Sequence, residues 1–266
     1  MKSLSAIILA AGKGKRLGGT APKVAREVFG KPMVRWVVDA CVEAGCGRVV
    51  IVVGHGREEV ESIFEGYDSG GTTIEFAAQD EQLGTGHAVQ CAEGFFSKEK
   101  SEGGHAVLVL AGDGPLIRAS TLRALADRHV VTDASATLAT SVIDDPKGYG
   151  RIVRDEKGRF KAIVEEKNAT DEQRAIREVN PSYYCFDVRS LFDALKAVRR
   201  DPVGGEFYLT DVPALMLAGG RRVEVIDAVP AADVLSINTP EQLMEVDELL
   251  RVRAESRATP NAGAGR

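Results

Sequence analysis

Only four cysteines occur in 266 residues, Cys41, Cys46, Cys91 and Cys185, and none belongs to a CxxC pair. A disulfide framework or a cysteine-held zinc is therefore not expected. The four histidines are scattered without metal-ligand spacing, which removes a histidine-based centre as well. No apolar run approaches the ~20 residues that cross a bilayer, so no membrane partner is expected. Positive charge is not in surplus either: 34 Lys and Arg against 39 Asp and Glu leave a net charge of −5, which argues against a broad nucleic-acid surface. No internal repeat of fixed period is found. The opening "MKSLSAIILAAG" has no small-residue cleavage site and runs straight into a glycine-rich loop. It reads as a first strand rather than a secretory signal, and a reducing cytoplasm is the expected setting.

What is present is a chain with 44% hydrophobic residues, enough for a large core and too many for a disordered one. Unbroken apolar runs, "AIILAA", "RVVIVVG" and "AVLVLAGD", alternate with helical periodicity through the first half, as where Met33, Trp36, Val37, Ala40, Cys41 and Ala44 share one stripe. Strands that do not alternate are covered on both faces. The pattern predicts an α/β fold, a mostly parallel doubly wound sheet. After residue 134, shorter alternating strands and a turn at Lys157-Gly158 predict a smaller antiparallel lobe beside that sheet. Residues 1–250 then form one domain, with 1–133 and 134–250 as its halves, and the small, polar, glycine-rich 251–266 a frayed tail.

The loop after the first strand reads "LAAGKGKRLGGTAPKV". Exposed backbone N–H groups and basic side chains there suit a triphosphate. It is not a P-loop, since GxxxxGK[ST] is absent, and GxGxxG fails at Leu17. Further on, "QDEQLGTGHA" sets two glutamines before Gly84-Thr85-Gly86. Such glycines mark a place where something approaches the backbone closely, and glutamine amides can pair with a base edge.

"LAAGKGKRL", "PKV" and "GKPMV" resemble the N-terminal signature of the sugar-nucleotide pyrophosphorylases, which have a Rossmann-like nucleotidyltransferase fold. "QDEQLGTGHAVQCA", "AGDGPLI", "GYGRIVR", "IVEEKNATDEQRAIREVN", "GEFYLTD" and "INTPEQL" follow in the order of the uridylyltransferase domain of the bacterial N-acetylglucosamine-1-phosphate uridylyltransferases, over roughly residues 4–250. The resemblance implies transfer of UMP from UTP to N-acetylglucosamine 1-phosphate. It implies that Leu9, Ala10, Ala11, Gly12, Gly14, Gln79, Gln82, Gly84 and Thr85 hold the nucleotide, with Arg16 and Lys23 beside the triphosphate as catalytic cations. Gly112, Gly150, Glu165 and Asn180 would hold the acceptor, and Asp113 and Asn238 would bind Mg²⁺.

Blander roles stand beside these: Thr85, Asp113 and Asn238 as helix caps, Lys23 and Arg16 as surface charges, Glu165 as a solvated hairpin edge. Asp211 is read as supporting a helix start or the loop beneath the sugar. Two departures from the family bear on the site. Pro181-Ser182 follow Asn180 where threonine and glycine are usual, which reshapes the sugar pocket, and Gly114 stands where a larger residue is usual, which loosens the metal loop. Another hexose 1-phosphate, dTTP in place of UTP, and a non-catalytic nucleotide-sugar-binding domain are the competing readings. The family's hexapeptide-repeat acetyltransferase has no counterpart in these residues, so neither that activity nor its trimer is expected, and the oligomeric state stays open.

Overall fold

The computed structural model describes residues 4–14, 17–18 and 21–258. Strand β1 (Leu4–Leu9) leads through the glycine-rich loop to a two-stranded ribbon, β2 (Glu27–Val28) and β3 (Lys31–Pro32), and then α1 (Met33–Glu43). Next come β4 (Arg48–Val53), α2 (Arg57–Ser62), β5 (Thr73–Ala78), α3 (Thr85–Cys91), α4 (Ser97–Glu102), β6 (Ala106–Ala111) and α5 (Ala119–Thr132). The second half adds β7 (Ala136–Val142), β8 (Gly150–Arg154), β9 (Phe160–Val164), α6 (Asp171–Arg174) and β10 (Glu178–Asp187), followed by α7 (Val188–Leu195), α8 (Val212–Ala218), β11 (Val223–Asp227) and α9 (Pro240–Ala258).

The main sheet has the order β11-β7-β10-β6-β1-β4-β5, with β8 and β9 attached through β10. Every pair along that order is parallel except those of β10, which runs against both β6 and β7. The fold is α/β with a mostly parallel mixed sheet, and the apolar runs explain why. Along β1, Ala6 and Ile8 face one core while Ile7 faces the other. In β4, Val49, Ile51 and Val53 face the first and Val50 and Val52 the second. A two-sided strand needs helices above and below: α1 and α5 pack on the first face, α3, α7 and α8 on the second. A third cluster joins Val28 and Met33 to Leu116, Ile237, Val246 and Leu250, and so fixes α9 near the end of β6.

Two expectations are corrected and one is met. The segment "ASATLATSVI" is not an alternating lobe strand; as β7 it is buried along nearly its whole length inside the main sheet, because both β10 and β11 flank it. The hairpin of β8 and β9 does turn at 155–159, where the Asp155 carboxylate accepts from the Lys157 and Arg159 N–H groups (2.9 Å each). The stretch from residue 251 is not a frayed tail as far as Ala258, since α9 continues through it. There Arg253 donates to Leu116 O (2.9 Å) and pairs with the buried Asp233 carboxylate. Residues 259–266 lie outside the described residues. No helix among the described residues is long and apolar enough to cross a membrane.

Candidate active site

A cavity of about 450 Å³ opens at the carboxyl ends of β1 and β6, where open α/β sheets place ligands. Leu9, Ala11, Gly12 and Gly14 of the first loop line one side, with Lys23, Asp113 and Asn238 beside them. Gln79, Gln82, Gly84 and Thr85 line a second side, and Glu165 a third. Arg16 lies outside the described residues.

The loop's glycines have different reasons. Gly14 has φ +58°, and a Cβ there would stand 2.5 Å from Lys23 Cβ, so its bareness lets Lys23 pack against the loop. Around Gly12 there is open space, leaving its backbone accessible. Ala10, by contrast, is buried, with its N–H donated to Val52 O (2.9 Å). Gly112 binds the ends of β1 and β6 together through Leu9 O (3.0 Å). These two sit behind the wall, supporting it.

Lys23 Nζ donates to Asn238 Oδ1 (2.8 Å) and pairs with Asp113 Oδ2. A carboxylate and an amide oxygen, 125 residues apart in sequence, thus converge on one ammonium. The convergence is built from both ends: Ile237 N–H donates to Asp113 O (3.1 Å), and Asn238 N–H donates to Gln242 Oε1 (2.7 Å). Asn238 is not the cap of α9. That role falls to Thr239, whose hydroxyl accepts from Gln242 N–H (3.3 Å) while the Gln242 side chain reaches back, the reciprocal arrangement of a capping box. Among the described residues no group of three or more His, Cys, Asp or Glu could hold a metal by itself. The departure at Gly114 has a partner: a Cβ there would meet the Tyr183 hydroxyl at 2.8 Å. Tyr183 therefore fills the space a larger residue would take, and the loop is not loosened.

At the glutamine-rich loop, the close approach anticipated at Gly84 comes from the protein itself. Gly84 has φ +112°, and a Cβ would lie 2.6 Å from Phe207 O. Leu83 O accepts from Phe207 N–H (2.8 Å), Gly86 N–H donates to Phe207 O (2.7 Å), and Thr85 Oγ1 accepts from Leu209 N–H (3.0 Å). Thr85 is thus not an N-cap; "QLGTG" and "GEFYLTD" are zipped together. Gln79 is buried, and its Nε2 donates to Gly84 O (3.1 Å) and to His87 Nδ1 (3.0 Å). His87, set aside in the sequence, is a positioning group for Gln79.

Glu165 is mostly buried and accepts from Thr210 Oγ1 (2.9 Å). Burial raises its carboxyl above the ordinary range, opposed by the Thr210 hydrogen bond and by Lys167. It is not a solvated hairpin edge. Asn180 and Gly150 pair across β10 and β8, and Asn180 is buried, donating Nδ2 to the Tyr184 hydroxyl (2.6 Å). They lie one layer behind the cavity, whose wall here is Ser182, Tyr184 and Thr210. Ser182 was marked in the sequence as reshaping this pocket, whereas Tyr184 was missed because β10 bulges between Val179 and Tyr183, which shifts the side chains that face the cavity. Asp211 precedes α8 without a side-chain cap bond.

A model of the MobA-like NTP transferase domain matches residues 6–211. The bifunctional protein GlmU of Caldanaerobacter subterraneus subsp. tengcongensis is 41% identical over 261 residues, 98% of this chain and 54% of that protein. GlmU of Heliobacterium modesticaldum is 44% identical over 253 residues, 95% of this chain and 53% of that one. The chain therefore spans about half the length of the relatives it matches. Among solved structures, a UDP-glucose pyrophosphorylase complexed with UDP-glucose superposes with a TM-score of 0.77 over 95% of this chain and all of that one, at 19% identity; it shares the fold.

Proposed function

The chain belongs to the MobA-like NTP transferase family and is homologous to the N-terminal half of the bifunctional GlmU proteins, and from that premise we propose that it transfers UMP from UTP to N-acetylglucosamine 1-phosphate. The products are UDP-N-acetylglucosamine and pyrophosphate. The observation that carries the reading is that one cavity collects the exposed loop backbone, Lys23, the Asp113–Asn238 oxygen pair and the Glu165–Thr210 pair.

In the reaction an acceptor phosphate oxygen attacks the α-phosphorus of UTP while the bond from that phosphorus to the bridging oxygen of pyrophosphate breaks. The attacking oxygen is already anionic at neutral pH, so no general base is needed, and the protein contributes position and charge. Lys23 places a fixed cation in the cavity where negative charge develops. The N–H groups of the 9–14 loop meet phosphate oxygens. Asp113 and Asn238 fit Mg²⁺: both oxygens already converge on a cation, and a carboxylate plus an amide oxygen leaves sites for water and phosphate ligands, as Mg²⁺ prefers. When bound, Mg²⁺ would neutralise charge on the phosphates. Glu165, held by Thr210, accepts from an acceptor hydroxyl.

Base choice follows from Gln79. Its Nε2 is engaged inside the protein by Gly84 O and His87, so its carbonyl is the group left to accept from the N3–H of uracil. Cytosine has no hydrogen there. Pyrophosphate release should proceed with UTP and fall at least ~10-fold with CTP, since a buried polar group would be left unpaired. Equal rates with both nucleotides would refute the assignment of the base pocket, and running dTTP and glucose 1-phosphate alongside separates the substrates.

A further inference from the structure

Strand β4 ends in the turn Gly54-His55-Gly56, which leads into α2. The turn is held on both sides. Val52 O accepts from Ala10 N–H (2.9 Å) and Val53 O from Gln79 N–H (2.7 Å), and beyond the turn Val60 of α2 shares one apolar cluster with Val24. Its two glycines are bare for different neighbours. A Cβ on Gly54 would lie 2.9 Å from Ala11 Cβ, 3.0 Å from Gln79 O and 3.0 Å from Gln82 Nε2. Gln82 Nε2 donates to that same Gln79 O (3.2 Å), so Gly54 makes room for the contact between the two glutamines. A Cβ on Gly56 would lie 2.2 Å from Pro22 Cγ and 2.9 Å from Pro22 Cδ. Pro22 directly precedes Lys23, and its carbonyl closes the turn of 23–25 by accepting from Ala25 N–H (3.1 Å). Lys23 is thus seated between bare Gly14 on one side and, through Pro22, bare Gly56 on the other.

Resting on the uridylyltransferase reading above, we propose that the 54–56 turn positions both halves of the nucleotide site. Gly54 is a positioning residue for the glutamines that read the base, and Gly56 is one for the ammonium of Lys23. Neither glycine is among the residues that line the main cavity; each acts through residues that do. The two arms have separable consequences. Packed carbon atoms rest about 3.5–4 Å apart, so a methyl on Gly56 drives Pro22, and Lys23 with it, by about 1 Å, a misplacement that costs catalysis up to ~10²-fold. A methyl on Gly54 demands smaller shifts, which turn the Gln79 and Gln82 amides and blunt the choice between bases. The contact at Gly56 can also be told from backbone strain. Gly56 has φ +67°, which strains alanine whatever the space around it. Pro22→Ala removes Cγ and Cδ and leaves the nearest Pro22 atom, Cβ, at 3.4 Å, so it relieves the contact and not the strain.

The test is steady-state pyrophosphate release with UTP and with CTP, N-acetylglucosamine 1-phosphate as acceptor and Mg²⁺ present, beside melting curves. Wild type is compared with Gly54→Ala, Gly56→Ala, Pro22→Ala and the pair Pro22→Ala/Gly56→Ala. Gly56→Ala should lose about 10- to 100-fold in kcat while its KM for UTP stays within about 3-fold. The pair should turn over like Pro22→Ala alone, although its melting temperature stays lowered by the strain at residue 56. Gly54→Ala should keep kcat within about 3-fold, raise the KM for UTP about 3- to 10-fold and narrow the preference for UTP over CTP. Gly56→Ala as fast as wild type, or a pair in which the two losses multiply, overturns the role of Gly56. If Gly56→Ala alone does not fold, the pair and Pro22→Ala still decide: equal turnover supports the contact and a slower pair overturns it. An unchanged base preference in Gly54→Ala overturns the role of Gly54. All of these leave the uridylyltransferase reading intact, whereas wild type that releases no pyrophosphate overturns that reading and this inference together.

Discussion

At the scale of single residues, Glu165 joins the fold's energetics to its site. Burial is the largest influence on its carboxyl and raises it, while Thr210 and Lys167 oppose the shift. The native state thus binds this proton more readily than the unfolded chain does. Stability from this group falls as pH rises from the ordinary glutamate value through the raised native one, and above that the ionised side chain is a standing cost. Glu165→Gln should therefore raise the melting temperature at neutral pH, flatten its decline across that window, and weaken acceptor binding about 10-fold through loss of a charged hydrogen-bond acceptor. Melting curves across pH with acceptor titrations check this; a variant less stable at neutral pH would contradict the sign. Glu165 could be placed in the sequence because its motif is local. Tyr184 could not, since facing the cavity depends on a bulge in β10 that no period of two reveals.

At the scale of elements, the parallel half was legible. Runs such as "RVVIVVG" have no polar side, and only a strand sandwiched between helices can bury both faces. Strands β10 and β11 were not legible as strands: β10 contains Pro181 and the bulge, and β11 is only half-buried along its length. The glycines of "QLGTG" were read as a close-approach site, and at Gly84 the chain that approaches is the protein's own. Gly84 has φ +112° and ψ 176°, a region that is essentially glycine's alone, and it faces the Phe207 backbone. Gly84→Ala should cost about 2 kcal/mol or more by forcing the loop away from residues 206–209, and should weaken nucleotide and acceptor binding together. Thermal melting and both affinities check this. A variant as stable as wild type would mean the two segments are not coupled as described.

At the scale of the whole molecule, the sheet order explains how residues so distant in sequence meet. Strands β1 and β6 are neighbours, so the glycine-rich loop and Asp113 emerge side by side. Helix α9 returns across them, anchored by Arg253 and by the third apolar cluster, and brings Asn238 to the same point. The motifs could name Lys23, Asp113 and Asn238; that one ammonium bridges the other two is a property of the assembled chain. The most direct measurement is pyrophosphate release by purified protein with UTP, Mg²⁺ and N-acetylglucosamine 1-phosphate, wild type beside Asp113→Ala. Wild type should release pyrophosphate only when both substrates are present, and the variant should fall by about 10²-fold or more while staying folded. No release by wild type, or a variant as active as wild type, would contradict the assignment of this cavity as the nucleotidyl-transfer site.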